Sequence, residues 1–94
     1  MSPRPRQRRC VRFRPSATYF KPQGVPLRNL KEIELTIEEI EALNLKNVKG
    51  YDQTKCAEKM KTSQSTFQRI LSSANKKVSQ ALINGNAIKI CKNS

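Results

Sequence analysis

Histidine and tryptophan are absent from this chain of 94 residues, glycine occurs three times, and the aromatics are two Tyr and three Phe. Without His, the commonest general base and the commonest metal-binding nitrogen are both missing. The three cysteines, Cys10, Cys56 and Cys91, are odd in number, and none lies within four residues of another. A zinc site needs four Cys or His ligands in close pairs, which this chain cannot supply. The cysteines therefore read as reduced thiols of a cytosolic protein, with Cys56 a small core residue; a redox role, or a Cys10–Cys91 bond if the chain ends meet, is the alternative. A Gly-rich phosphate loop is missing too, as are paired carboxylates beside a nucleophile. No enzyme, no catalytic residue, no metal and no cofactor is expected.

Long apolar runs are also lacking. No stretch approaches the roughly 18 consecutive apolar residues of a membrane span, and no apolar segment follows Met1, so neither a membrane helix nor a secretory signal is expected. Acid is confined: all seven Asp and Glu fall within residues 32–58. Residues 1–31 carry nine Lys or Arg and no acid, and residues 59–94 carry seven and no acid. Between them, residues 32–58 set seven acids against Lys46, Lys49 and Lys55, so the three segments contribute +9, −4 and +7 to the net +12. Such segregation points to a side that faces a polyanion, and nucleic acid is the first reading. An Arg-rich, acid-free start is also one form of organellar transit peptide, but Pro3, Pro5 and Pro15 break the amphipathic helix such a peptide needs.

At this length one small domain is expected, burying roughly 60–65% of the surface its unfolded chain exposes. Residues 1–16 form a basic arm, with a short strand at Cys10–Phe13 possible within it. Residues 17–35 hold Pro22, Gly24 and Pro26 and read as loop followed by an extended piece near Ile33–Leu35. Residues 36–85 read as three helices. Thr36 with Glu39 makes a capping box, and the helix after it is expected to bury Ile37, Ile40 and Leu43–Leu45 and to stop near Val48-Lys49-Gly50. Its acids Glu38, Glu39 and Glu41 have a spacing that reads as solvent-facing. A second helix is expected over about Gln53–Met60 and a third over about Gln64–Ile83, with apolar residues at Phe67, Ile70, Leu71, Ala74, Val78, Ala81 and Leu82 as one buried stripe. Asn84-Gly85 ends it, and residues 86–94 are a short strand, Ala87–Ile90, and a tail. The fold class expected is mainly α: a three-helix helix-turn-helix domain with a basic arm, plus at most a two-stranded pairing of the chain ends.

The segment DQTKCAEKMKTSQSTFQRIL (52–71) carries the mechanism. A short helix with Cys56, Ala57 and Met60 inside, a break at Lys61-Thr62 and Ser63 as N-cap lead into a long amphipathic helix. That order of parts places a second helix in the major groove. The helix side opposite Phe67 carries Ser65, Gln68, Arg69, Ser72, Lys76 and Ser79. Arg pairs with guanine O6 and N7, Gln with adenine N6 and N7, and short hydroxyls allow close approach. Base reading is assigned to Gln64, Ser65, Gln68, Arg69 and Ser72, and phosphate contact to Ser63, Thr66, Lys76 and Lys77. Arg4, Arg6, Arg8 and Arg9 of the arm either enter an A·T-rich minor groove or form a disordered tail that adds affinity by counterion release.

The 53–78 stretch resembles the helix-turn-helix of sigma-factor region 4, through Ala57 in its first helix and Ser63-Gln64-Ser65-Thr66-Phe67 opening its second. More closely, residues 3–90 resemble a family of short, uncharacterised predicted DNA-binding proteins of archaea and bacteria, through RPR near the start, TYFKPQGVPLRNL (18–30), LTIEEIEALNL (35–45), SQSTFQRIL (63–71) and INGNAIKI. The resemblance implies a cytoplasmic, nucleoid-associated DNA-binding protein and a transcriptional regulator. The turn departs from the pattern: Lys61-Thr62 stand where Gly and an aliphatic residue are usual. Lys at a positive φ costs of order 1 kcal/mol, and Thr62 sets a hydroxyl where a small apolar plug is expected.

The expected partner is double-stranded DNA, bound by a homodimer because single motifs of this size bind weakly. The competing reading is a basic nucleoid or RNA-associated protein that binds backbone without reading bases. A third reading is an interaction module that meets RNA polymerase through the acidic first helix.

Overall fold

Thr36 is where the described chain turns from strand to helix, and its side chain shows why. The computed structural model describes residues 18–91, so the arm and its expected strand at Cys10–Phe13 lie outside the described residues. Strand β1 is Tyr19–Phe20; a 3-10 turn at Leu27–Asn29 leads to β2, Glu32–Thr36. Helix α1 is Ile37–Leu43 and continues as a π-helical turn, Asn44–Val48. Helices α2, Gln53–Met60, and α3, Gln64–Asn84, precede β3, Ala87–Cys91. The capping box is present: Glu39 N–H donates to Thr36 Oγ1 (3.1 Å) and Thr36 N–H donates to Glu39 Oε1 (2.9 Å). Two of the donors that a helix start leaves orphaned are thereby satisfied.

The other helices are bounded just as locally. Asp52 caps α2 by accepting from Lys55 N–H (2.8 Å), and Ser63 caps α3 by accepting from Thr66 N–H (3.1 Å). α2 ends at Lys61, the one non-glycine residue with positive φ among those described (φ 55, ψ 51). Lys61 N–H donates to Glu58 O (3.1 Å) and Thr62 N–H to Ala57 O (3.0 Å), the paired bonds of a Schellman stop. The chain then reverses into α3 through three residues.

The expectation of a mainly α fold is corrected by a three-stranded mixed sheet of order β1-β3-β2, which makes this a small α/β domain. β3 is central. It pairs antiparallel with β1 (Tyr19 opposite Lys89, Phe20 opposite Ile88) and parallel with β2 (Glu32 opposite Ala87 through Thr36 opposite Cys91). A parallel pair needs a long crossover; here the crossover is the entire helical segment between Thr36 and Ala87. The sheet is extended by Ala87 N–H to Lys31 O and Ile90 N–H to Thr18 O, both 2.9 Å. Leu35, Ala87 and Ile90 are its buried residues, and it lies against α3 and the start of α1.

The helical core gathers Ala42, Leu45, Cys56, Ala57, Met60, Phe67 and Leu71, with Leu43, Tyr51 and Ile70 packed against it. Cys56 is a free, fully buried thiol. Burial raises its pKa; nearby Lys46 works against that and Asp52 adds to it. Its Sγ donates to Tyr51 O at 3.6 Å. Ile40, Leu43, Asn44, Ile70 and Val78, all expected inside, are only half-buried, and two further expectations fail outright. Glu39 and Glu41, read as solvent-facing, are 7% and 3% exposed, because Glu39 turns to Ser73 and Lys77 of α3 while Glu41, on the other side of α1, is covered by the π turn and the residues around Tyr51 and Lys59. Leu82, read as part of the buried stripe, is 75% exposed, as is its neighbour Ile83 at 83%, since the last turn of α3 runs beyond the core.

Candidate nucleic-acid interface

The long helix α3 has two unlike sides. Phe67, Leu71, Ala74 and Ala81 are buried, Phe67 and Ala74 with no exposed surface at all. Ser65, Gln68, Arg69, Ser72, Lys76 and Ser79 are all exposed, and at ~100° per residue they fall within about 50° of one direction. The face they form carries two cations and no acid. Gln68 Nε2 donates to Ser72 Oγ at 3.4 Å, one turn on, a long bond that leaves both groups accessible.

The first turn is held in place by α2. Gln53 Nε2 donates to the backbone oxygen of Gln64 (3.4 Å). Ser63 Oγ donates to Thr66 Oγ1 (3.0 Å) and lies 3.3 Å from Ser65 Oγ. A chain of three hydroxyls thus sits over the start of the helix, where free N–H groups and the partial positive charge of the helix dipole lie. Gln64 is exposed but about a quarter-turn off the outer face, so it stands at the edge of the surface rather than on it. Thr66, further round, is half-buried.

The phosphate set divides. Lys76 is exposed on the outer face. Lys77 lies about 130° away from that face and its Nζ meets Glu39 Oε1 at 3.0 Å, with 33% of the Lys77 side chain exposed and 9% of the Glu39 one. Ser73 Oγ donates to Glu39 Oε2 at 2.6 Å. Burial pushes the Glu39 carboxyl up, but the hydrogen bonds from Ser73, the Thr36 backbone and Lys77, with the Lys77 charge, outweigh it and hold it below the ordinary carboxylate value. Lys77, assigned on sequence grounds beside phosphates, is therefore a strut between α3 and the N-terminus of α1. Ser73 and Glu39 are the partners that sequence reading missed. The capping box marked Glu39, but nothing local tied it to residues more than thirty positions away.

The acidic surface expected on α1 does not exist as such, because Glu39 and Glu41 are buried and Glu38 is only partly accessible. Arg4, Arg6, Arg8 and Arg9 lie outside the described residues. Among the described residues, no group of three or more Cys, Asp or Glu converges closely enough to hold a metal ion, and no helix is long and apolar enough to cross a membrane.

The family described as "Protein of unknown function DUF134" matches residues 1–93. A UPF0251 protein of Caldanaerobacter subterraneus subsp. tengcongensis is 51% identical over 88 residues, which cover 94% of this chain and 75% of that protein. A UPF0251 protein of Desulforudis audaxviator is 54% identical over 87 residues, 93% of this chain and 57% of that protein. One of Moorella thermoacetica is 52% identical over 88 residues, 94% of this chain and 59% of that protein. The chain thus spans from just over half to about three quarters of the length of these relatives. No solved structure matches the chain. With one family matching almost from end to end, and several of its bacterial relatives about half identical over that same span, this chain belongs to the DUF134 family, with the UPF0251 proteins.

Proposed function

We propose that the protein is a DNA-binding transcriptional regulator that lays α3 in the major groove, with α2, the Lys61–Ser63 turn and α3 serving as a helix-turn-helix of the sigma region 4 kind. The observation that carries this reading is the outer face of α3. Ser65, Gln68, Arg69 and Ser72 stand exposed within one narrow sector, backed by the buried Phe67, Leu71, Ala74 and Ala81 and free of any carboxylate. Arg69 is suited to guanine O6 and N7, Gln68 to adenine N6 and N7, and the serines keep the backbone close to the groove floor. Gln64 reaches base edges from the rim. Ser63, Thr66 and Lys76 face phosphates, the first two through the hydroxyl chain over the helix start. Lys77 has no phosphate role in this reading and instead fixes the angle of α3 against α1.

Arm residues Arg4, Arg6, Arg8 and Arg9 add affinity, in the minor groove or by counterion release. A homodimer on two half-sites supplies the affinity that a single module lacks. The polymerase-contact reading, which called on Glu38, Glu39 and Glu41, is left with Glu38 alone at the surface of α1 and is not favoured here.

The net +12 favours a second reading, a nonspecific nucleoid or RNA-associated protein. Selection of bound duplexes from a random DNA pool, followed by competition between the selected site and a scrambled one, separates the two. A regulator prefers its site by about 10³-fold or more, whereas a packaging protein enriches nothing. An inverted repeat in the selected site reports the dimer.

A further inference from the structure

On the side of the molecule built from α1, the π turn and α2, one carboxylate is left without a partner. Glu41 is 3% exposed, and its Oε1 is buried with no hydrogen-bond partner among the described residues. A buried acceptor that gave up water and gained nothing is costly, and native proteins hold few of them. Glu41 lines a groove of about 520 Å³, within the size range of small-molecule sites. The chain is irregular where the groove forms: Lys49 N–H donates to Asn44 O at 2.8 Å, closing a π turn between α1 and the linker to α2. Such turns recur at functional sites because they reposition side chains that a regular helix would hold elsewhere.

The rest of the lining has two characters. Leu45 and Val48 are apolar, Val48 being 78% exposed, and Tyr51 adds an aromatic ring. Lys49 and Lys59 bring two ammonium groups. Lys59 Nζ lies 5.4 Å from the Tyr51 ring centroid, and Lys55 Nζ, over the same ring, lies 5.2 Å from it, so positive charge is concentrated at this wall. A buried acceptor is therefore set beside apolar surface, the exposed Lys49 and the half-buried Lys59.

We infer that this groove binds a small molecule in which a planar N–C–N donor fork is joined to an anionic group. The fork donates to Glu41, the body lies on Leu45 and Val48, and the anion meets Lys49 and Lys59. Two sources share that chemistry: the guanine base of a nucleotide and the guanidinium of free arginine. The charge of the wall favours guanine, whose fork is neutral and escapes repulsion from the lysines while its phosphate is attracted to them. The site lies apart from the outer face of α3, so the inference does not rest on the DNA-binding reading.

Calorimetric titration of the full chain with GMP, guanosine, AMP and L-arginine tests it, without DNA. GMP is expected to saturate in the micromolar to low millimolar range, with guanosine and AMP each weaker by about tenfold or more. AMP is weaker because adenine has no such fork. Lys59→Ala removes the advantage of GMP over guanosine, and Glu41→Gln removes its advantage over AMP. Saturation by L-arginine but not GMP supports the shared chemistry and assigns it to arginine. The inference is overturned if no probe saturates by about 10 mM, if GMP saturates and AMP binds as tightly, or if Glu41→Gln binds the saturating probe, GMP or L-arginine, as tightly as the unaltered chain. Should Glu41→Gln fail to fold, the GMP–AMP comparison and Lys59→Ala still decide.

Discussion

Lys61 holds φ 55 and ψ 51 between α2 and α3, a conformation that lysine adopts against the steric preference of its Cβ. The strain is tolerated because the Schellman bonds from Lys61 and Thr62 to Glu58 and Ala57 fix the reversal. Lys61→Gly removes the strain but adds freedom to the unfolded chain, so the net gain is about 0.5–1 kcal/mol, or roughly 2–8 °C in Tm by calorimetry. A lower Tm for the glycine variant would mean that the Lys61 stem, not its backbone, matters here. Glu39 is the other decisive residue, one carboxylate serving as cap, hydrogen-bond acceptor and ion-pair partner at once. Its pKa is depressed in the folded state. The stability it contributes is therefore present above the ordinary carboxylate value of about 4.5 and is lost as pH falls through the lower folded value. Glu39→Gln should cost about 1–2 kcal/mol at neutral pH, discounted for the exposure of Lys77. In urea denaturation the gap between the two proteins narrows as the solution is acidified below that value; a gap constant from neutral to strongly acidic pH would contradict the assignment.

At the scale of elements, α3 is the part that organises the rest. It carries the candidate reading face outward and Phe67 inward, so the surface is only as well placed as the core behind it. Phe67→Ala removes a side chain with no exposed surface, at a cost of about 3–5 kcal/mol. That is a large share of what a domain this small can hold, and circular dichroism should show loss of helix at a temperature where the unaltered chain is folded. Leu82→Ala, on the same helix but 75% exposed, should change Tm little.

The helices were legible in the sequence because their limits are set by neighbours: Thr36 and Glu39, the positive φ at Lys61 and at Gly85, Ser63 at its N-cap, and a 3.6-residue stripe from Phe67 to Ala81. The sheet was not. β1 is two residues inside a Pro- and Gly-containing stretch, and the β2–β3 pairing joins five-residue segments across the whole helical region. No local periodicity records such a partnership. The exposure of Gln68, Arg69, Ser72 and Lys76 was likewise readable from helix geometry, whereas the inward turn of Lys77 and the burial of Glu41 depend on where α1 packs. The π turn after Leu43 has no signature in the residues Asn44–Val48.

For the whole molecule, the distribution of charge is the feature that the local chemistry serves. Every acid lies within residues 32–58, and two of them, Glu39 and Glu41, are withdrawn from the surface. What remains outside is strongly basic, which lowers the cost of approaching a polyanion and makes association sensitive to salt. The outer face of α3 is where that general attraction becomes selective in the proposed function.

The most direct measurement is fluorescence anisotropy of the full chain on its selected duplex and on a scrambled duplex, across a salt series, for the unaltered protein, Arg69→Ala, Lys76→Ala and Lys77→Ala. Arg69→Ala should lose about 1–3 kcal/mol on the selected duplex and relax the preference at one base pair. Lys76→Ala should weaken both duplexes alike and flatten the salt slope by about one unit, while Lys77→Ala lowers Tm and leaves that slope unchanged. If Arg69→Ala binds both duplexes as the unaltered protein does, with the preference between them intact, α3 does not read the groove and the central claim is wrong.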